Sequence, residues 1–160
     1  MHVFLIFAAK YLYLVIALLT IVVLFRLPRE AWGWLLVEIG IAALLAVVLT
    51  KAAGALYFDT RPYVLQHMAP LIPHHPDNGF PSDHTVVSML CAALAFRASR
   101  IAGCVLTMLA VLVGYARVWA GVHHPVDIAG AVVIAWLAVG LSAGIGAWLR
   151  HRAMTKQQLP

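Results

Sequence analysis

The sequence predicts an all-α integral membrane protein: a bundle of about five transmembrane helices plus an interfacial loop, in a single domain over residues 1–160. Three observations carry this. Residues of the hydrophobic class make up 64% of the chain and charged residues only 11%, where a soluble domain averages about 25% charged. The mean hydropathy is +0.94. The apolar residues gather into five segments, roughly 4–25, 32–56, 84–98, 101–117 and 125–149, and a bilayer core of about 30 Å needs about 20 residues of helix.

The first segment is apolar from Val3 to Phe25 apart from Lys10. It lacks a clear basic leader and a small-residue cleavage site, so it reads as an anchor helix and not a signal peptide. The second contains Glu38, a carboxylate costly at membrane depth unless paired, and structural pairing is the first expectation for it. The third and fourth are short and joined by "FRASRIAG". The long connection from Phe58 to Pro81 is rich in Pro, His and Asp, which suits an interfacial loop and not a sixth span. Trp32, Trp34, Trp119, Trp136 and Trp148 mostly fall near predicted helix ends and read as interfacial anchors. Cys91 and Cys104 lie in apolar runs without C-x-x-C spacing and are expected to be buried apolar residues.

The formal net charge is +5, but no basic run with interleaved aromatics occurs, which excludes nucleic acid as the expected partner. The basic residues sort by membrane side instead. With five helices, Arg26, Arg29, Arg97, Arg100, Arg150, Arg152 and Lys156 share one face, and Lys10, Lys51, Arg61 and Arg117 the other. The positive-inside rule then puts the C-terminus in the cytoplasm and the N-terminus outside.

The same topology brings the polar clusters to the outer face. Lys51 and Arg61 flank the end of the second helix, Ser82, Asp83 and His84 open the third, Arg117 ends the fourth, and His123 and Asp127 open the fifth. His123 and Asp127, four apart, can touch on one helical face. A carboxylate on one imidazole nitrogen fixes the tautomer and frees the other nitrogen to attack. Arginine matches phosphate geometry through paired hydrogen bonds, and lysine adds a mobile point charge. Ser82 and the N–H groups at the start of the third helix suit an anion, and His84 suits proton transfer. Nucleophile, orienter, cationic cradle and separate acid together describe phosphoryl transfer.

The residues also carry a resemblance. Arg61-Pro62, the "PSDH" of Pro81 to His84, and R-x5-H-x3-D from Arg117 to Asp127 resemble the three signatures of the type-2 phosphatidic acid phosphatase superfamily, metal-free integral membrane lipid phosphatases and diphosphatases. "FPSDHT" with "RVWAGVHHPVD" further resembles its undecaprenyl-diphosphatase branch, the bacitracin-resistance type. The resemblance implies His123 as the nucleophile that becomes phosphohistidine, Asp127 as its orienter, and His84 as the proton donor to the leaving group and then the base for water. It implies Lys51, Arg61, Ser82 and Arg117 as phosphate ligands, with Asp83 beside them. No cofactor or metal is implied. The implied substrate is an isoprenoid lipid diphosphate among membrane lipids, in a bacterial plasma membrane with the site facing the periplasm.

Three positions depart from the pattern. The family's first motif places a lysine seven residues before the arginine, where this chain has Gly54; Lys51 lies ten before Arg61. Three residues back on a helix is nearly the same face and about 4.5 Å further along the axis, within reach of a long side chain. Ala116 stands where a serine is usual, and Asp83 replaces the commoner glycine. A carboxylate beside a phosphate repels it unless turned toward a cation or imidazole; selection of a diphosphate is the other reading.

Two further functions fit parts of the sequence. One is hydrolysis of another lipid phosphate, such as phosphatidylglycerol phosphate, phosphatidic acid or lipid A. The other is a His-rich metal-binding or transport protein, since the chain has 8 histidines; yet no H-x-x-x-H pair falls on a predicted helix. His67, His74 and His75 read as ordinary interfacial residues of the long loop, and His124 is expected to face away from the site.

Overall fold

The structure, a computed structural model, describes residues 2–157. It contains helices α1 (His2–Leu24), α2 (Arg29–Leu56), α3 (Pro62–Leu65), α4 (Asp83–Ala95), α5 (Arg100–Trp119) and α6 (Pro125–Gln157). No strand forms among the described residues; a lone antiparallel bridge joins Thr60 and Asn78. Four helices, α1, α2, α5 and α6, are long and apolar enough to cross a membrane.

The predicted third span is the element that differs. At 13 residues α4 is about 20 Å long, less than the bilayer core. It forms the centre of the bundle, with α1, α2, α5 and α6 all packed around it. Its Val86, Met89, Ala92, Ala93 and Leu94 are buried, and the small alanines let neighbouring helices approach closely. The expected continuation to residue 98 is replaced by turns at 96–98. Ser99 then caps α5 by accepting from the Ala102 N–H at 3.2 Å. Outward faces carry Leu18, Leu44, Ile101, Met108 and Leu137, all exposed, as a bundle solvated by hydrocarbon requires.

Other boundaries moved for local reasons. The helix α6 continues past 149 because its polar tail, "RHRAMTKQ", is still rich in good helix formers. The side chain of Lys156, counted above with the cytoplasmic set, lies outside the described residues. Cys104 is exposed because α5 presents one face to the bundle and one outward, and Cys91, on α4, is half-buried. Trp136 is not at a helix end; it lies inside α6 and packs on Phe96 with ring centroids 5.7 Å apart. Glu38 is buried and paired, accepting from Arg97 Nη2 at 2.6 Å, at the end of the bundle away from His84 and His123.

The loop from 57 to 82 is built and not loose. Arg61 precedes α3, Pro62 sits at its first position, and the Tyr63 N–H reaches the Gly121 carbonyl at 3.1 Å. Gly121 holds φ +74, the left-handed conformation that turns α5 into α6 and aims that carbonyl at α3. After α3, His67 takes φ 52. Its N–H bonds Val64 O at 3.2 Å while the Met68 N–H bonds Tyr63 O at 3.0 Å, the paired closure of a Schellman turn.

Asn78 ties the far end of the loop to α2. Its Nδ2 donates to the carbonyls of Gly54 at 2.9 Å and Tyr57 at 3.0 Å, which the helix end leaves unpaired. Its Oδ1 accepts from the N–H groups of Asp59 at 2.9 Å and Phe80 at 3.0 Å. Asn78→Ala removes all four bonds at once. A net loss of about 2–4 kcal/mol is expected, seen as a lower melting temperature of the detergent-purified protein; an unchanged melting temperature would show that Asn78 does not fasten the loop.

Candidate active site

The site begins with the start of α6. Pro125 occupies the first helical position and Asp127 the third, so the Asp127 carboxylate can turn back on the residue that precedes the helix. Its Oδ2 accepts the His124 N–H at 2.9 Å and the His123 Nδ1–H at 3.1 Å. The predicted His123–Asp127 contact therefore forms, but by helix capping and not by two residues stacked along a helix: His123 lies in the turn before α6. With the Nδ1 proton committed to Asp127, Nε2 carries the lone pair.

Two guanidiniums face that nitrogen. Arg117 Nη2 lies 3.2 Å from it and Arg61 Nη1 3.4 Å. Arg61 is locked by Asp77 Oδ1 at 2.8 Å, Val122 O at 2.9 Å and Asn78 O at 3.2 Å. Arg117 donates to Ala9 O of α1 at 3.3 Å and to His74 Nε2 at 2.6 Å; its buried Nε has no protein partner among the described residues. Both arginines and His123 are at most 5% exposed. Burial, then Arg117 and Arg61, push the His123 imidazole below its ordinary range, against the opposing hydrogen bond and charge of Asp127.

A cavity of about 120 Å³ opens on this nitrogen, lined by Arg61, His74, Asp83, His84, Arg117 and His123 among others. His84 stands on its wall from the first turn of α4, edge-on to Tyr13 of α1 with ring centroids 4.5 Å apart. Ser82 is not on that wall. It is fully buried behind it, accepting from Thr85 Oγ1 at 3.1 Å, with its N–H toward Asp127 O at 3.3 Å. Lys51 is exposed and lines an adjoining cleft with Asp83. A lysine at position 54 meets an obstacle, because a Cβ on Gly54 would come within 3.1 Å of the Phe80 carbonyl.

Four participants were not read from the sequence as such. His74 belongs to the site and is not an ordinary loop residue; its ring lies 5.9 Å from that of His123. Burial, reinforced by Arg61, Arg117 and His123, lowers its pKa to about 4. It thus faces Arg117 as a neutral acceptor. Asp77 is buttressed by Arg61, whose hydrogen bond and charge outweigh burial and keep the carboxyl below its usual range. Asn78 fastens the loop, and Asp59 holds His124, Nδ1 to Oδ2 at 2.5 Å. His124 does turn away from the His123 nitrogen, as its neighbour position suggests. Spacing along the chain cannot single out these four, since each acts across a tertiary contact; nothing separates His74 from His75 except the fold.

Donor atoms of Asp59, His124 and Asp127 lie within 4.8 Å of one another, so this trio has the chemistry to hold a divalent cation. Asp59 and Asp127 already face one imidazole each. The cavity itself presents two guanidiniums and three imidazoles, with Asp77 and Asp83 also on its wall; the paired guanidiniums beside His123 are donors suited to an anion.

Fold and site together define a membrane phosphatase-type architecture, and the chain belongs to the PAP2 superfamily, whose model matches residues 34–150. Among curated relatives it is similar to undecaprenyl-diphosphatase BcrC of Bacillus subtilis, 38% identical over 60% of this chain and 50% of that one. It is also similar to the bacitracin transport permease protein BcrC of Bacillus licheniformis, 34% identical over 82% of this chain and 65% of the relative. The chain therefore spans between half and two thirds of the length of these two. The putative undecaprenyl-diphosphatase YbjG of Escherichia coli is 34% identical over 91% of this chain and 79% of its own. Of solved structures, LpxE of Aquifex aeolicus superposes with a TM-score of 0.71 at 27% identity, covering 89% of this chain and 85% of that one. The PAP2-type phosphatidylglycerolphosphate phosphatase of Bacillus subtilis superposes at 0.55 and 25% identity, over 88% and 72%.

Two outcomes follow for a nucleophilic His123. Its neutral form is the reactive one, so a lowered pKa keeps it reactive to lower pH than an ordinary imidazole of 6.5. The acid limb of kcat/KM is expected below pH 6.5, with activity lost as pH falls through the depressed value; a limb centred above it would contradict a neutral attacking imidazole. Asp127→Asn replaces the acceptor of the Nδ1 proton with an amide and is expected to lower kcat about 10³–10⁴-fold. A loss under tenfold in steady-state assays would mean that Asp127 does not set the tautomer.

Proposed function

We propose that this chain is a metal-independent lipid phosphatase that hydrolyses undecaprenyl diphosphate to undecaprenyl phosphate and inorganic phosphate, recycling the carrier lipid of cell-wall synthesis. The single observation that carries the reading is His123: Nδ1 on a buried carboxylate, Nε2 beneath two buried guanidiniums and open to a cavity. The names of the BcrC and YbjG relatives support the substrate.

In this mechanism Arg61 and Arg117 take the non-bridging oxygens of the terminal phosphate and exchange their contacts with the imidazoles for it. His123 Nε2 forms a bond to phosphorus as the bond to the bridging oxygen breaks; His84, whose resting pKa is lowered to about 4 by burial, Arg117 and His123, takes a proton from water as the anionic substrate enters and gives it to that oxygen. The phosphohistidine is then attacked by water, whose proton returns to His84; the P–N bond breaks and phosphate leaves. Asp127 stabilises the positive imidazole formed at each step, and Ser82 supports the start of α4 from behind.

The proposed setting is the bacterial plasma membrane, with the N-terminus and the site outside and the C-terminus in the cytoplasm. Arg26, Arg29, Arg97, Arg100, Arg150 and Arg152 gather at the end opposite the site, which supports that orientation. A substrate released on the outer leaflet would meet the site there.

The test is phosphate release by detergent-purified protein from undecaprenyl diphosphate, with phosphatidylglycerol phosphate and phosphatidic acid in parallel, with and without chelator. Release that survives chelator and favours the isoprenoid diphosphate is expected, and His123→Ala is expected to reduce it by about 10³-fold or more. Faster turnover of a glycerolipid would transfer the proposal to that substrate. Loss on chelation, restored by zinc, would replace it with a metal mechanism for which Asp59, His124 and Asp127 are the ligands on hand.

A further inference from the structure

We propose that Lys51 and the cleft around it form a second phosphate subsite, one that holds the phosphate remaining on the lipid and so selects diphosphates over monophosphates. This rests on the diphosphatase reading and assigns Lys51 a different partner from the transferred phosphate.

The observation is a row of three neighbouring spaces whose walls share residues. The catalytic cavity of about 120 Å³ shares Asp77, Asn78, Pro81 and Asp83 with a polar cleft of about 280 Å³ that contains Lys51. That cleft shares Thr50, Lys51 and Asp83 with an apolar groove of about 300 Å³ between α2 and α4. Ala43, Ala46, Val47, Val86, Val87 and Leu90 line the groove, reaching about two turns from the site end into the bundle. Order along this path is therefore two arginines and a nucleophile, then a lysine, then hydrocarbon. An isoprenyl diphosphate has the same order: terminal phosphate, bridging phosphate, apolar chain.

Charge makes the match specific. Lys51 has no ion-pair partner among the described residues, so its ammonium is free for an anion at the junction. It does not line the cavity where Arg61 and Arg117 face His123, and Phe80 and Asn78 stand between α2 and that cavity. Asp83 borders all three spaces. Its carboxylate disfavours an anion seated there without a cation, so the bridging phosphate is held only on the lysine side. A monophosphate of the same chain has to choose: phosphate against His123 with its first apolar carbons in the polar cleft, or tail in the groove with its phosphate short of the nucleophile.

The experiment compares kcat/KM for farnesyl diphosphate and farnesyl monophosphate in wild-type, Lys51→Ala and Lys51→Arg protein. Because both substrates are measured on one preparation, the ratio is independent of the folded fraction. Wild type is expected to prefer the diphosphate. Lys51→Ala is expected to cut the ratio about tenfold, chiefly through KM for the diphosphate, and Lys51→Arg to restore most of it. An unchanged ratio in Lys51→Ala overturns the subsite, whether both substrates slow together, as for a ligand of the transferred phosphate, or neither does. Wild type that releases phosphate from neither farnesyl nor undecaprenyl diphosphate overturns the underlying reading, and the subsite with it.

Discussion

Everything in the site depends on one carboxylate. Asp127 is fully buried, and its Oδ2 serves two donors, the backbone of His124 and the ring of His123. The first bond starts α6; the second sets which nitrogen of His123 is free. Helix capping and the orientation of the His123 ring thus share one carboxylate oxygen. The capping geometry also explains the reach of the structure beyond this residue. Ser82 and the head of α4 lean on the Asp127 carbonyl, so the helix that carries His84 is positioned from the same turn that positions His123.

The second structural demand is to bring two arginines from distant parts of the chain to one nitrogen. Arg117 arrives on the last turn of α5, inside the bundle, and is braced by the Ala9 carbonyl of α1. Arg61 arrives from the loop and needs more support: Asp77, Asn78 and Val122 all hold it. That difference gives the long loop its construction. The bridge at Thr60 and Asn78, the turn at His67 and the Tyr63 hydroxyl on the His74 carbonyl at 3.1 Å fold one segment so that Arg61 and His74 meet over the cavity.

Much of this was legible in the sequence, and the limit is physical. His84, Arg117, His123 and Asp127 could be read because each is polar at the mouth of an apolar helix and because the last three are close in the chain. The helical architecture followed from apolar segment length. The length of α4 did not, since its alanines are apolar enough to span but are buried among other helices and need not. His74, Asp77, Asn78 and Asp59 act through contacts 16 or more residues distant, where spacing carries no information. Gly54 records a close approach of the loop to α2 that arises only in the folded chain.

The balance of charge in the cavity bears on what it was built to receive. A buried cation is costly unless paired, and Arg61 follows that rule with Asp77. Arg117 has no carboxylate in contact among the described residues, Asp83 on the same cavity wall acting on it only from a distance: its acceptors are a carbonyl and two neutral imidazoles, with Nε unpartnered among the described residues. Imidazoles satisfy hydrogen bonds without cancelling charge. The lowered pKa of His74 keeps that ring an acceptor and avoids adding a third positive charge. The result is a pocket whose hydrogen bonds are mostly met while its positive potential remains. A phosphate entering it replaces weak neutral acceptors with strong anionic ones, and each exchange frees an imidazole nitrogen for chemistry. In the proposed mechanism, binding the anion and releasing His123 from its resting contacts are one step.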